Sequence, residues 1–376
     1  MSLRVTRITL REIQLTLREP FQISSGLTTV RRILLLELED RDGHTAWSEC
    51  VAGERPNYSA ETIDTAWWAI TEWVGPWALA HEIADPSGID ARLSRSIRGH
   101  FMAKAAVEMG IWGLWATRDR TSLSRLIGGE RTQIATGVSI GIQDSHETLV
   151  ASARASLAAG YRKIKIKIRP GADLECIAAV REELGEKAPL MADANSAYSL
   201  SQADHLAKLD PFKLMMLEQP LAPDALRRHA QLQELIATPI CLDESITNVD
   251  RAQDMLALGS GRVVNIKPGR VGGFAQAKAI HDLCRRNGVP VWCGGMLESG
   301  VGRAYNVALA SLPNFTLPGD VSPSARYWDH DIVTPEWTMD ANGNVAVPVD
   351  VPGIGVEIDR ARVENLTTRA KSLSVP

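Results

Sequence analysis

Residues 163–168 read Lys-Ile-Lys-Ile-Lys-Ile, a strict alternation that places three lysines on one face of a strand and three isoleucines on the other. At the edge of a sheet such a strand would be an ordinary guard against aggregation. The surrounding sequence argues against an edge. Further apolar strand segments lie at 134–139, 189–193, 214–218, 239–243, 263–267, 289–293 and 315–318, with helical stretches at 173–185, 200–209, 224–236, 249–258 and 273–287 between them. Eight strands alternating with helices predict an α/β fold, a (β/α)8-type barrel in which no strand keeps a free edge. An open doubly wound sheet would need a GxGxxG turn after a strand, and none is present. With the isoleucines turned to the helices, Lys165 and Lys167 project into the barrel mouth.

The barrel does not start at the beginning of the chain. Strands are expected at 4–17, 33–39 and 44–51, the last two joined by an Asp42-Gly43 hairpin, followed by helices near 60–75, 86–96 and 101–117. This predicts an α+β unit over 1–126, the barrel over 127–326, and a C-terminal segment, 327–376, that returns to the first unit to complete one capping domain. Trp67, Trp68, Trp73, Trp77, Trp112 and Trp115 fall in the helices of that unit and are expected to pack inside it.

The whole chain of 376 residues is 45% hydrophobic and 23% charged, with a formal net charge of −4. Five scattered cysteines without a CxxC pair argue against a disulfide framework or a cysteine-built zinc site, and for a reducing cytoplasm. No apolar run approaches the ~18 residues that would span a bilayer. No basic cluster stands apart from acidic neighbours, so neither nucleic acid nor a membrane surface is an expected partner.

The chemistry lies at the strand ends. Lys167, Asp193, Glu218, Asp243 and Lys267 follow one another at intervals of 26, 25, 25 and 24 residues. One βα unit needs about that length, so the five occupy equivalent places at the carboxyl ends of neighbouring strands, where barrel enzymes build their sites. A single aspartate after a strand is usually a helix cap. Five in register are not explained that way. Three convergent carboxylates repel one another unless a cation joins them, and oxygen-only ligands favour Mg2+ or Mn2+ over zinc. Two lysines entering from opposite sides can address both faces of a substrate. Removing a proton next to a carboxylate gives an enediolate, and a divalent ion with lysine bases is suited to that task. Three lysines, a divalent ion and three carboxylates leave a net charge of +2, which predicts a small anionic substrate.

These motifs resemble the enolase superfamily, in its muconate lactonizing enzyme subgroup. The likeness runs through KIKIKIRPG (163–171), DANSAY (193–198), LEQPL (217–221), TPICLDES (238–245), NIKPGRVGG (265–273), CGGMLESGVGRA (293–304) and PGDVSPSARY (318–327). Within that subgroup the last three are similar to o-succinylbenzoate synthases and N-acylamino acid (N-succinylamino acid) racemases. The resemblance implies that Asp193, Glu218 and Asp243 bind Mg2+, that Lys167 and Lys267 are the acid/base pair, and that Lys165 assists on the face of Lys167. It also implies that Ser139, Asn195, Gly295, Met296 and Leu297 lie near substrate, and that the loops 21–27 and 55–59 cap the site. The implied activity is dehydration of 2-succinyl-6-hydroxy-2,4-cyclohexadiene-1-carboxylate, racemisation of N-succinylamino acids, or both, in a homo-oligomer. Muconate cycloisomerase and dipeptide epimerase are alternatives of the same type, and a non-catalytic binding barrel is one of another class. The seventh strand ends without a histidine, unlike mandelate racemase-like relatives. Asp320-Val-Ser322 stands where dipeptide epimerases carry Asp-x-Asp. Glu298 and Arg303 are read either as an ion pair or as ligands for a substrate carboxylate.

Overall fold

Alternating apolar residues at the start of the chain pair into an antiparallel sheet in the computed structural model, which describes residues 2–375. Its strands are β1 (Val5–Ile23), β2 (Gly26–Asp40) and β3 (Thr45–Cys50), and Thr367–Ser374 adds on the outer side of β1. The apolar pattern places the end of the first strand at residue 17 and the start of the second at 33. The chain instead continues as a long two-stranded ribbon, still paired at Phe21–Thr28 and Ile23–Gly26. Residues 18–32 lack a clean apolar alternation because much of the ribbon tip is not packed against a core, with Leu27 61% exposed.

Helices of the first unit cover the inner face of this sheet. The long helix Phe101–Arg118 is buried along most of its length, and its Ala106 carbonyl accepts from the Ser48 hydroxyl of β3 at 2.7 Å. Trp112 is buried as expected. Trp68 and Trp73 are not, being 51% and 39% exposed and stacked edge-on against each other.

Beyond β4 (Gln133–Ala135), which pairs with Asn344–Ala346, the chain forms seven parallel strands in sequential order. They are β5 (Val138–Ile140), β6 (Ile164–Lys167), β7 (Leu190–Asp193), β8 (Leu217–Glu218), β9 (Ile240–Leu242), β10 (Val263–Ile266) and β11 (Val291–Cys293). The first expected strand, 134–139, is thus two strands, broken at Thr136-Gly137. The eighth, 315–318, is an irregular segment that closes the barrel by single bridges, Phe315 to Val291 and Gly319 to Thr136. Within it Thr316 N bonds back to Asn314 O at 2.8 Å, and Pro318 has no N–H to give to a ladder.

Local signals place the helices. Ser145 caps His146–Ala158 and Asn248 caps Val249–Leu258, which Gly259 ends in the left-handed region at φ +72°. The isoleucines of β6 join the core between barrel and helices, while Met191, Met216, Cys241, Val263 and Trp292 form a separate apolar plug inside the barrel. The lysine face of β6 therefore points inward, above and beside that plug.

The two units are joined by buried carboxylates. Glu49 accepts from Ser299 N, Ser299 Oγ and Gly302 N at 3.1, 2.6 and 3.1 Å, at the start of the helix Gly300–Ala310. Glu108 accepts from Phe274 N and Ala275 N at 2.9 and 3.0 Å, at the start of the helix Phe274–Arg286. A side chain at Gly273 would place its Cβ 2.2 Å from the Glu108 carboxylate, so this contact requires glycine. Burial pushes these carboxyls up to about 8 and about 7, against the pull of the donated N–H groups. All five cysteines are free, and no helix of the described residues is long and apolar enough to cross a membrane.

His229 gives the fold a testable pH response. Its Nε2 accepts from Leu221 N at 3.2 Å and its Nδ1 donates to Ala225 O at 3.0 Å, so the ring is held neutral. Burial lowers its pKa from 6.5 to about 4. The unfolded chain binds this proton at higher pH than the native one, so the stability contribution is complete above pH 6.5 and is lost as pH falls towards 4. Between pH 7 and pH 5 the loss is about 2 kcal/mol. Urea denaturation of wild type and His229→Gln at both pH values reads it. The variant, which cannot titrate, should lose about 2 kcal/mol less, and equal losses would show that His229 does not control the response.

Candidate active site

The five strand-end residues of the sequence reading converge at the carboxyl ends of β6 to β10, all buried. Parallel register puts Lys167 beside Asp193 and Asp193 beside Glu218. Lys167 Nζ lies 2.6 Å from Asp193 Oδ2 and donates to Asn195 Oδ1 at 2.8 Å. Across the mouth, four strands away, Lys267 Nζ lies 2.8 Å from Asp243 Oδ2 and 3.1 Å from the Tyr58 hydroxyl. Lys165 sits deeper, 3.3 Å from Asp193, 3.2 Å from Glu218 and 2.6 Å from Asp320.

A cavity of about 480 Å3 opens above this layer. Lys167, Asn195, Lys267, Gly295, Met296 and Leu297 line its floor and wall. Its lid comes from the ribbon tip, including Phe21, Ile23 and Leu27, and from the loop carrying Asn57 and Tyr58. The two loops expected to cap the site therefore do so. Asp193, Glu218, Asp243, Lys165 and Ser139 do not line the cavity. Ser139 is buried, in register with Lys165, and its hydroxyl has no hydrogen-bond partner. Glu298 and Arg303 do not line it: Arg303 donates to the Glu298 and Ser322 carbonyls, and Glu298 Oε1 accepts from Asn306.

Several members of the site carried no separate sequence signal. Arg270 pairs with Asp243 and donates to the Asn265 and Ile246 carbonyls. Asn265, two residues before Lys267 on the same strand face, donates to Glu218 Oε1 at 2.7 Å. Gln219, buried at φ +38°, accepts from Asp243 N and Ser245 N and so fixes the backbone of a neighbouring strand end. Asn195, Ser196 and Leu297 are also left-handed, so backbone strain collects around the mouth. Tyr58 donates to Asp243 Oδ1 at 3.0 Å and lays its ring 4.5 Å from the Lys267 ammonium.

The electrostatics differ from one side to the other. Burial, reinforced by Lys165, lowers the Lys167 pKa despite Asp193. The Lys267 pKa is raised, because Tyr58 and the nearby carboxylates outweigh its burial. Burial and Asp193 together raise the Glu218 carboxyl. Asp193 is lowered, its burial being overcome by Lys167 and Lys165.

The donors fit a hard divalent cation. They are oxygens from three adjacent strand ends, braced from behind by Asn265 and Gln219, with a buried, partnerless Glu244 Oε2 beside them. Among the described residues the grouping whose ligand atoms lie within 4.8 Å of one another is Asp40, Asp42 and His44; the oxygens of Asp193, Glu218 and Asp243 are not drawn together to that extent and pair with Lys167, Lys165 and Lys267. The Asp40 grouping lies in the β2–β3 turn, where Asp40 is already engaged by the Asp42 N–H, the His44 N–H and the His44 ring. That arrangement holds an Asp-Gly turn and stands apart from the barrel mouth.

Comparison with known proteins agrees with this architecture. Residues 5–128 match the family model for the mandelate racemase / muconate lactonizing enzyme N-terminal domain, and residues 148–362 match the enolase C-terminal domain-like model. The chain is 48% identical over 371 residues to an o-succinylbenzoate synthase of Geobacillus stearothermophilus, covering 99% of this chain and 98% of that one. It is 43% identical over 366 residues to an N-succinylamino acid racemase of an Amycolatopsis species, covering 97% and 98%. The structure of an enolase superfamily member from Listeria innocua superposes with a TM-score of 0.94 at 38% identity, over 99% of each chain. This chain belongs to the mandelate racemase / muconate lactonizing enzyme family and is an enzyme of the enolase superfamily.

Proposed function

We propose that the protein is a Mg2+-dependent enzyme that removes the proton α to a carboxylate, acting as an o-succinylbenzoate synthase, an N-succinylamino acid racemase, or both. One observation carries this reading: two buried lysine amines, Lys167 and Lys267, face one cavity from strands four places apart, with three carboxylates on the strands between them. Relatives that bear these two activity names match essentially the full chain.

Asp193, Glu218 and Asp243 would hold the cation, Mn2+ being a chemically equivalent substitute. When bound, the ion supplies the positive charge that stabilises the enediolate. The rest is done by the chain. Lys167 takes the α-proton on one face, and Asn195 orients its amine. In dehydration Lys267 stays cationic opposite, and the proton on Lys167 passes to the departing hydroxyl, which leaves as water. In racemisation each lysine serves one face: the proton taken by one is replaced from the other. Lys165 adds fixed positive charge beside Lys167. Met296, Leu297 and the ribbon tip exclude water and pack the acyl or side-chain portion, in a cavity of the size usual for small ligands, about 300–1,000 Å3. Ser139 and the Gly295 backbone would complete the substrate contacts. Residues 1–126 with the last strand of the tail would act as the cap.

Lys267→Ala should abolish racemisation of N-succinylamino acids. Exchange of the α-hydrogen in D2O should persist for the single enantiomer that presents it to Lys167, as read by NMR. A variant racemising at the wild-type rate would refute the assignment. On the cyclohexadiene substrate, followed by its ultraviolet loss, a kcat/KM of at least about 10⁴ M⁻¹ s⁻¹ marks dehydration as a true activity. A far lower value beside efficient racemisation marks the racemase. Removing the metal with a chelator should abolish both activities. Without substrate, Mg2+ at about 100 times its Kd should stabilise the stripped protein by about 2.7 kcal/mol in urea melts, and an unchanged melt would refute metal binding.

A further inference from the structure

Lys165 stands among three carboxylates, and the shortest of its contacts is not to the proposed metal ligands. Asp320 Oδ2 is 2.6 Å from its ammonium, against 3.2 Å for Glu218 and 3.3 Å for Asp193. The other oxygen of Asp320 lies 3.0 Å from Lys163 Nζ. Lys163 is fully buried two residues before Lys165 on the same strand face, its ammonium 3.4 Å from the centre of the Trp292 ring. That indole is itself fixed by its N–H on Cys241 Sγ.

Asp320 is delivered by the irregular segment that closes the barrel. Gly319 N donates to Ala135 O, Gly137 N donates to Gly319 O, and Asp320 N donates to Cys293 O at 2.8 Å, so the backbone is tied to both neighbouring strands. The side chain is 4% exposed and does not line the cavity, which leaves it no access to a substrate ammonium group.

A lysine among metal ligands competes with the metal. If Lys165 had only Asp193 and Glu218 to pair with, a divalent ion would have to displace it and strand a buried charge. We propose that Asp320, anchored by Lys163, is a positioning residue that holds the Lys165 ammonium to one side and so leaves Asp193 and Glu218 to a divalent cation. This rests on the metal site proposed above and extends it to three residues that do not touch the metal.

The test is calorimetric titration of the full chain with Mg2+ alone, without substrate. Asp320→Asn should weaken binding by at least about tenfold, the usual effect of losing an outer-shell partner. Two double variants keep the net charge unchanged; the first leaves the Lys163 ammonium over the Trp292 ring, and the second leaves Lys165 between Asp193 and Glu218. Asp320→Asn with Lys165→Met should return to within about twofold of wild type, the scatter of independent substitutions, because the competitor is gone. Asp320→Asn with Lys163→Met should stay weak, because Lys165 remains without its partner. If Asp320→Asn alone does not fold, the difference between the two doubles decides. Equal affinities in the doubles would show that only net charge matters and would overturn the proposal, as would wild-type affinity in Asp320→Asn. A wild-type chain that does not bind Mg2+ overturns both this proposal and the metal site. Mg2+ binding that follows the expected pattern, without turnover of either carboxylate substrate, overturns the proposed activity and leaves the role of Asp320 standing.

Discussion

A charge taken out of water must be met by another charge or by oriented dipoles, and at this barrel mouth that requirement falls on ten side chains at once. Lys163, Lys165, Lys167, Lys267 and Arg270 are buried there with Asp193, Glu218, Asp243, Glu244 and Asp320. None of the five strands carrying the central residues could present its charge alone. The parallel register makes the arrangement workable, because it sets Lys167, Asp193 and Glu218 side by side on successive strands. Polar neighbours then satisfy what the ion pairs leave: Asn265 on Glu218, Asn195 on Lys167, and Gln219 on the backbone of Asp243.

The same requirement explains how the first unit attaches. Two helix N-termini of the barrel would leave their N–H groups unpaired beneath the cap, and Glu49 and Glu108 fill those positions from the other unit. Docking in this way fixes the cap over the mouth, so that Tyr58 reaches both Asp243 and Lys267. Strained residues are found where the backbone must turn sharply past a charged side chain, at Asn195, Ser196 and Gln219. Rigid packing from the cap on one side and the apolar plug on the other keeps them there.

What could be read in the sequence was what a simple repeat imposes. Period two in residues 163–168 gave the lysine face, and the near-constant length of a βα unit gave the spacing from Lys167 to Lys267. Interactions made by distant segments left no such trace. The barrel closes through Phe315–Asp320 by isolated bridges, so no eighth strand of normal pairing exists to match the expected pattern. The ribbon tip pairs without being fully buried, so its hydrophobic pattern is blurred between residues 18 and 32. Asp320 looked like an incomplete epimerase motif, because nothing in the local sequence shows that Lys163 and Lys165 lie against it. Trp68 and Trp73 were expected inside because aromatic residues in helices usually are, but burial depends on which helix face meets the sheet.

Charge balance also sets the order in which the site can fill. With all ten groups ionised the buried mouth is neutral, and Lys167 and Lys267, the groups best placed to meet an anion, are each paired to a carboxylate. A carboxylate substrate entering then would exchange water for a neutral environment and gain little Coulombic attraction. On the proposed reading, a divalent cation held by Asp193, Glu218 and Asp243 would change this in two ways. It would add two positive charges to the cluster, and it would compete for the oxygens that now hold the two amines. Cation first and anion second would then be the electrostatically favoured sequence, because each cavity-facing lysine is paired with a would-be metal ligand.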